Sequence, residues 1–441
     1  MTSSERPTNI RWLVFVLASA TSFMLYLHRY TWAVIRPELE REYGFTNTQL
    51  EQIFAFFQFT YSLGQIPGGM ISDFFGPHIF LGASILTWSV CLLVFALVGS
   101  FWVFGGIRML FGAAQAGAYP SLNKVTSNWF APSSRTALQG FIASTAGRAG
   151  GALAPILMAT VLMAHFGYGW RTALLILSGA GILFAIAFLL LFRNSPENDS
   201  RVNEAERALI HEGEQPKTNQ RSVLPFKKAF KNRNFQLLVF QQYANAGADI
   251  VYTSVLGSFF LSKNISLGEM GIYASLPLFG GAIGGFVGGV LNDVAIQLTG
   301  SRKWGRRLLG CLGKAIAAGC LFIAISQTSV AALAWGLFVV KFFSDWSQPT
   351  VWGTCTDLGR QYSGTTFSIV NFTGNVGAFT VPFVVGPLLD HYTTVEIVNG
   401  VSERVTNYDP MFAMVAGLYL VSSITWLFID CTRSFDGESN D

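Results

Sequence analysis

The chain has 441 residues, of which 51% are hydrophobic, 14% aromatic and only 12% charged. Soluble domains carry roughly a quarter charged residues, so this composition excludes a water-soluble globule, and the spread of apolar runs along the chain excludes a soluble domain on one anchor. The net charge of +4 sits in short stretches between apolar runs, which fits membrane topology rather than nucleic-acid binding.

About 20 apolar residues are needed to cross a ~30 Å hydrocarbon core as a helix. Runs of that size are predicted near 12–34, 50–71, 79–99, 102–125, 137–164, 171–192, 235–261, 269–290, 308–326, 331–355, 363–389 and 410–430. The first resembles a signal peptide through Ala18-Ser19-Ala20 after Arg11, but apolar residues continue to Leu27, so a retained span is expected. Six spans lie on each side of a polar stretch, 193–234, which holds nine lysines and arginines and six acids and opens with the breaker Asn194-Ser195-Pro196-Glu197. The expected organisation is therefore an all-α membrane protein of twelve transmembrane helices in two pseudo-symmetric six-helix bundles. The bundles are 1–192 and 235–441, the latter with a tail, and 193–234 is a linker with a short amphipathic helix around Glu204 to His211.

Lysines and arginines give the orientation, because cytoplasmic loops are enriched in them. Of the 29, nineteen fall on the side of both termini, five (Arg36, Arg41, Arg171, Lys263 and Arg404) fall in loops on the other, and five lie inside spans. Both termini are expected to be cytoplasmic, in the cell inner (plasma) membrane. The cysteines, Cys91, Cys311, Cys320, Cys355 and Cys431, show no paired or metal-binding spacing, so no disulfide, metal or cofactor is expected.

The two halves share a local pattern. Gly68-Gly69-Met70-Ile71-Ser72-Asp73-Phe74-Phe75-Gly76 parallels Gly288-Gly289-Val290-Leu291-Asn292-Asp293, followed by Gly305-Arg306-Arg307. Glycine lets helices approach, and an acid at a helix end can hold neighbouring helix N-termini, so Gly69, Asp73, Asp293, Arg306 and Arg307 are candidates for conformational gating. This duplication resembles the major facilitator superfamily, a resemblance that implies two bundles rocking about a midplane site. In the first copy Pro77-His78 replaces the family's basic residues, which implies a weakened clamp. Glycine rows at 280, 284 and 288, at 147, 150 and 151, and at 374 and 377 fit either sliding surfaces or tight packing.

Ionisable groups inside spans cost about 2.5–3.5 kcal/mol each at mid-bilayer and need a partner, water or a function. The first half has His28, Arg29, Arg108 and Arg148 and no deep carboxylate, which predicts a wet cavity that favours anions. Arg29 and Arg108 are read as binding a substrate anion, while Arg148 fits substrate contact or a structural pairing equally. Tyr61 with Gln65, and Asn371 with Asn375, each share a helix face and offer hydroxyl and amide groups to a polyhydroxylated ligand or glue helices together. In the second half Lys341 and Asp345, four apart, predict an internal ion pair. Asp249 has no sequence-local partner, which fits a proton carrier or a partner to an arginine across the bundles.

A closer resemblance is carried by Phe342 to Asp357, Gly364-Thr365, Asn371 to Gly377, Gly300 to Arg307, Tyr61 to Gly69 and Gly169-Trp170-Arg171. The chain resembles the anion:cation symporter family, which includes hexuronate, galactonate and glucarate permeases. The resemblance implies that Arg29 and Arg108 hold the substrate anion, Tyr61 stands on the substrate side, and Asn371 or Asn375 supplies polar contacts. Proton-coupled members carry an acid before the first-span arginine and a glutamate seven residues after the fourth-span arginine; here those positions are His28 and Gln115. Glutamine cannot take up and release a proton. Span seven also departs, with Val255-Leu256-Gly257-Ser258 where the family has a Trp-x-Pro-Thr pattern.

The function expected is secondary transport of a small organic anion, above all a sugar acid such as a hexuronate or aldonate, by alternating access in a lipid bilayer, with the chain acting as a monomer. Three coupling modes stay open: proton symport through His28, Asp249 or Asp345, uncoupled facilitation, and anion exchange. A non-transporting membrane sensor on a transporter fold is the alternative class. An enzyme is not expected, since no catalytic constellation or phosphate loop is present.

Overall fold

The computed structural model describes residues 6–213, 226–398 and 401–435. Lipid offers no hydrogen bonds to a backbone, so apolar runs of this length must satisfy their own amides as helices. Among the described residues nine helices are long and apolar enough to cross a bilayer. One of them, Asn47–Phe95, has 49 residues and turns at Gly76, whose φ of 79° suits only glycine, so it supplies spans two and three without an intervening loop. Two more stretches, 101–129 and 233–261, are interrupted, the first at Gly117 and the second at Ile250 and Val255. They carry Arg108, Gln115, Gln241, Gln242, Asn245 and Asp249, the polar side chains that lower their hydropathy. The crossing segments thus number the twelve expected, and the chain is a multi-pass membrane protein.

Several helices outrun their apolar runs. Span one, Ile10–Tyr43, continues past a break at Thr31, and span eight, Leu267–Thr299, runs on to a left-handed Gly300. The remaining spans are Pro132–His165, Trp170–Leu191, Arg302–Ile325, Val330–Gly359, Ser363–His391 and Asp409–Phe428. The short linker helix is present as Glu204–Ile210.

The chain divides into two compact units, Met1–Thr31 with Phe59–Asn219, and Trp32–Gln58 with Gln220–Asp441. In the first unit, span one lies against the glycines of span five: a Cβ on Gly150 would stand 2.1 Å from the Phe23 carbonyl, and one on Gly147 would stand 2.9 Å from Ser22 Oγ. Span five also holds π-helical stretches at Phe141–Ala146 and Ile156–His165, on either side of the Gly147–Pro155 helix. The N-terminus of span one is capped by the linker helix. Glu206 is fully buried and accepts from the amides of Ile10 (3.0 Å) and Arg11 (2.9 Å) and from the Thr8 hydroxyl. A carboxylate there satisfies donors that the first helical turn leaves open and complements its dipole.

In the second unit, Gly280, Gly284 and Gly288 face the carbonyls of Phe338, Phe342 and Trp346, where an added Cβ would come within 2.0–2.2 Å. Gly377 meets the Tyr243 carbonyl in the same way. All these rows are close-packed seams inside one unit, so the packing reading of the glycines holds for them. The unit also includes the antiparallel hairpin β1 (Thr393–Val398) and β2 (Val401–Thr406).

Arg36 corrects one topological expectation. Counted as a loop residue, it is fully buried in the second unit, where Nη2 donates to Asn47 Oδ1 (2.6 Å), Nη1 to Ser258 Oγ (2.5 Å) and Nε to the equally buried Glu51 (3.3 Å). Asp390 accepts from the amides of Asn47 (2.8 Å) and Thr48 (2.9 Å), capping the second span's start. The helix continuation past Thr31 is what carries Arg36 into this packing rather than into water.

Candidate functional site

In the first unit the expected anion-binding residues converge on one another. Arg29 is at the end of the span-one helix Ile10–Tyr30, and its Nε donates to Gln115 Oε1 at 3.1 Å. Gln115 is completely buried in span four and donates from Nε2 to the Leu25 carbonyl at 3.2 Å, so both ends of its amide are used. The Arg29 guanidinium carbon lies 4.4 Å from the Tyr61 ring centre and 5.1 Å from that of Tyr26. Aromatic faces hold a cation without neutralising it. Arg108, seven residues before Gln115 on the same helix face, is buried with its guanidinium 5.4 Å from the Phe111 ring, close enough to Arg29 for the two charges to act on each other. Tyr119 extends the set, hydrogen-bonded to Ser22 at 2.8 Å.

Between Arg6 and Thr31, and from Phe59 to Pro196, the only acid is Asp73, at the end of span two. The spans of this unit therefore present fixed positive charge among amides, hydroxyls and aromatic faces. Such a setting suits an anion, and a planar guanidinium would give its binding direction.

The other first-half candidates are placed differently. Gln65 is half-buried one turn beyond Tyr61, and Arg148 is half-buried on the Gly147–Pro155 helix. His28 is fully buried and turned toward span six, where Nε2 hydrogen-bonds the Leu177 carbonyl at 3.1 Å and the ring fills the space over Gly181. Its backbone neighbour Arg29 faces the aromatic cluster; adjacent positions on a helix point about 100° apart, and the two side chains meet different neighbours.

A second polar cluster occupies the core of the second unit. Lys341 Nζ donates to Asp345 Oδ1 and to Asp249 Oδ1, both at 2.8 Å, and Tyr419 OH donates to the same Asp249 oxygen at 3.1 Å. The predicted Lys341–Asp345 pair is thus present, and the partner of Asp249 is a lysine of its own unit. Sequence reasoning gave no role to Lys314. It is fully buried in span nine, donating to Asn245 Oδ1 and, at 2.8 Å, to Ser344 Oγ, with the Tyr419 ring centre 5.2 Å from Nζ. The signal was its depth in an apolar run, but its partners lie on other helices and no i±4 spacing announces them. Asn371 and Asn375 are half-buried in span eleven, beside Gly374, which packs on Gln242.

The two copies of the loop motif are held by different groups. Asp73 pairs with Lys124 at 3.0 Å, while Asn194 Oδ1 accepts from the His78 amide at 2.8 Å beneath the Gly76 turn. A Cβ on Gly69 would make ordinary contact with Pro120. In the second copy Arg306 pairs with Asp357 at 2.8 Å and donates to the Thr350 carbonyl, and Arg307 donates to the Ile429 carbonyl at 2.7 Å. Asp293 accepts from its neighbour Asn292 at 3.2 Å.

Comparison with known proteins adds to this geometry. The sequence profile of the Major Facilitator Superfamily matches residues 14–382. The chain is 27% identical to the probable sulfoacetate transporter SauU of Cupriavidus necator, over 94% of this chain and 92% of that protein. It is 26% identical to the probable galactarate/D-glucarate transporter GudP of Bacillus subtilis, over 88% of each. Against the D-galactonate transporter of Escherichia coli O6:H1 the identity is 23%, over 97% of each. Among solved structures, a bacterial homologue of the human lysosomal transporter Spinster shares the fold with a TM-score of 0.72 at 18% identity, over 96% of this chain and 95% of that one.

Proposed function

The chain belongs to the Major Facilitator Superfamily, and from that premise we propose that it carries small organic anions by alternating access, with Arg29 and Arg108 taking the substrate's anionic group. The family is one of transporters, so the chain is a carrier and not an enzyme. The observation that carries the proposal is the pair of arginines in a unit whose one span acid, Asp73, stands at a span end and pairs with Lys124. Uncharged sugars or apolar drugs would not balance two guanidinium groups in low dielectric.

Sugar acids are the favoured substrate class, because relatives named for galactarate, glucarate and galactonate align over nearly the whole chain and Tyr61, Gln65, Gln115, Asn371 and Asn375 supply hydroxyl and amide groups suited to polyols. A sulfonated short carboxylate is the second class to test, given the relative named for sulfoacetate. Arg148 is assigned to the wall of the same path. Asp73, Gly69, Asp293, Arg306 and Arg307 are assigned to gating, supported by their place in the repeated motif. A proton is the proposed co-substrate, with Asp249 and Asp345 preferred to His28, which is fully buried with Nε2 bonded to the Leu177 carbonyl. The bias of lysine and arginine supports a cytoplasmic position for both termini, the cell inner membrane is the proposed location, and the internal duplication lets a single chain act as a monomer.

The test is uptake of labelled galactarate, galactonate and sulfoacetate into proteoliposomes, wild type against Arg108→Ala. Arginine-dependent flux of one of these acids supports the proposal. Flux that survives Arg108→Ala overturns the assigned site, and absence of flux for all three with intact folded protein overturns the substrate class.

A further inference from the structure

Lysine at 314 is the one fully buried ammonium in the described residues that touches no carboxylate directly, yet it stands within the group of residues around two aspartates. Lys341 is shared by Asp249 and Asp345 at 2.8 Å each. Two carboxylates on one ammonium leave one negative charge without a counter-ion, an arrangement that burial disfavours. Lys314 supplies the missing positive charge from a neighbouring helix: Ser344, which accepts from it, precedes Asp345 in sequence, and Tyr419, whose ring it faces, donates to Asp249. Two lysines and two aspartates sum to zero.

The four members differ in access. The Asp249 side chain is 27% exposed, whereas those of Lys341 and Asp345 are 7% exposed and Lys314 is fully buried. Span seven brings Asp249 and Asn245 to the group, span nine Lys314, span ten Lys341, Ser344 and Asp345, and span twelve Tyr419. Tyr252 sets its ring 5.2 Å from Lys341, and span eight contributes Gly281, whose missing side chain leaves room for Asp345.

We propose that Lys314 is a positioning residue for proton coupling: it balances Asp345 and Lys341 so that Asp249 is the one group whose charge changes, and a proton on Asp249 converts a neutral cluster to one of net charge +1. That positive state attracts the organic anion, and loss of the proton on the opposite side of the membrane restores neutrality and releases it. No other atom is exchanged, so the step balances as one proton bound and one proton released per cycle. This rests on the organic-anion reading above and goes beyond it in naming a residue that governs the coupling proton.

The experiment uses purified full-length protein in proteoliposomes, with whichever of the three acids is carried. It measures both anion exchange at equal pH and accumulation driven by an inward proton gradient. Lys314→Met is expected to lose gradient-driven accumulation at least about tenfold, and Lys314→Arg to recover it. Adding Asp345→Asn to Lys314→Met restores neutrality and is expected to recover the gradient response, which a purely structural lysine would not allow. Undiminished gradient-driven accumulation in Lys314→Met overturns the proposal, as does a double variant no better than the single one. Exchange by a wild type that ignores the gradient overturns the coupling role while leaving the organic-anion reading intact; lack of exchange in folded wild type overturns both.

Discussion

The spans of the first unit and those of the second solve the problem of buried charge in opposite ways. The first holds Arg29 against Gln115, Tyr61 and Tyr26, groups that orient a cation and leave its charge in place. The second closes Lys341 and Lys314 with Asp249 and Asp345 into a cluster of zero formal charge. A duplicated fold has therefore kept its helix packing and divided its electrostatics. Fixed positive charge suits recognition of an anion, and a balanced cluster with one accessible carboxylate suits a change of charge state.

This contrast predicts opposite stability and transport phenotypes for arginine and lysine substitutions. Lys341→Ala strands two carboxylates in the core and is expected to destabilise the protein by about 3–5 kcal/mol, read as a large fall in the detergent-solubilised thermal midpoint. Lys341→Met combined with Asp345→Asn, which returns the cluster to zero formal charge, is expected to recover most of it. Arg29→Ala and Arg108→Ala are expected to leave the midpoint level or raised, because no buried acid of their unit is abandoned. Their uptake rates should fall about a hundredfold, equivalent to about 2.7 kcal/mol. Arg108→Lys keeps the charge but loses the planar fork and should recover only part of that rate. An arginine variant that unfolds while Lys341→Ala stays stable would reverse the comparison.

A smaller effect comes from making the first unit resemble the second. Gln115→Glu places a carboxylate against Arg29, where at neutral pH it competes with the substrate anion; uptake is expected to fall about tenfold, about 1.4 kcal/mol. Acidification protonates the new side chain and should restore uptake, giving a pH dependence absent from the wild-type first unit. The check is the ratio of uptake rates at acid and neutral pH in variant and wild type with the gradient clamped to zero.

How far these features could be read from the sequence depended on whether their causes were local. Spans, the duplicated motif and the Lys341–Asp345 pair follow from apolar run length and i+4 spacing, and each is present. The arginines were legible because a charge in lipid is conspicuous wherever it falls. Lys314 was equally conspicuous in span nine, but its meaning lies in Asn245 and Ser344 on two other helices. Arg36 failed for another reason: helix one runs on past its apolar stretch, carrying a residue that charge counting assigns to water into a buried pair with Glu51. His28 shows the limit of position alone, since next to Arg29 in sequence it faces span six.

The smallest expected effect concerns acids that the first unit does retain, at its ends. Glu206 closes the start of span one by accepting from the amides of Ile10 and Arg11, and Asn203 Oδ1 caps the linker helix itself by accepting from the Glu206 amide at 3.0 Å. Glu206→Gln keeps an acceptor and removes the charge that complements the helix dipole, at an expected cost of about 0.5–1 kcal/mol. Glu206→Ala removes every acceptor and should cost about 1–2 kcal/mol, in the range of a lost N-cap. Both variants should transport at wild-type rates once folded, because this carboxylate serves a helix end and lies outside the span interiors where substrate charge is read. A Glu206→Gln protein with normal stability but altered substrate affinity would place a functional acid in the first unit and dissolve the division between the two.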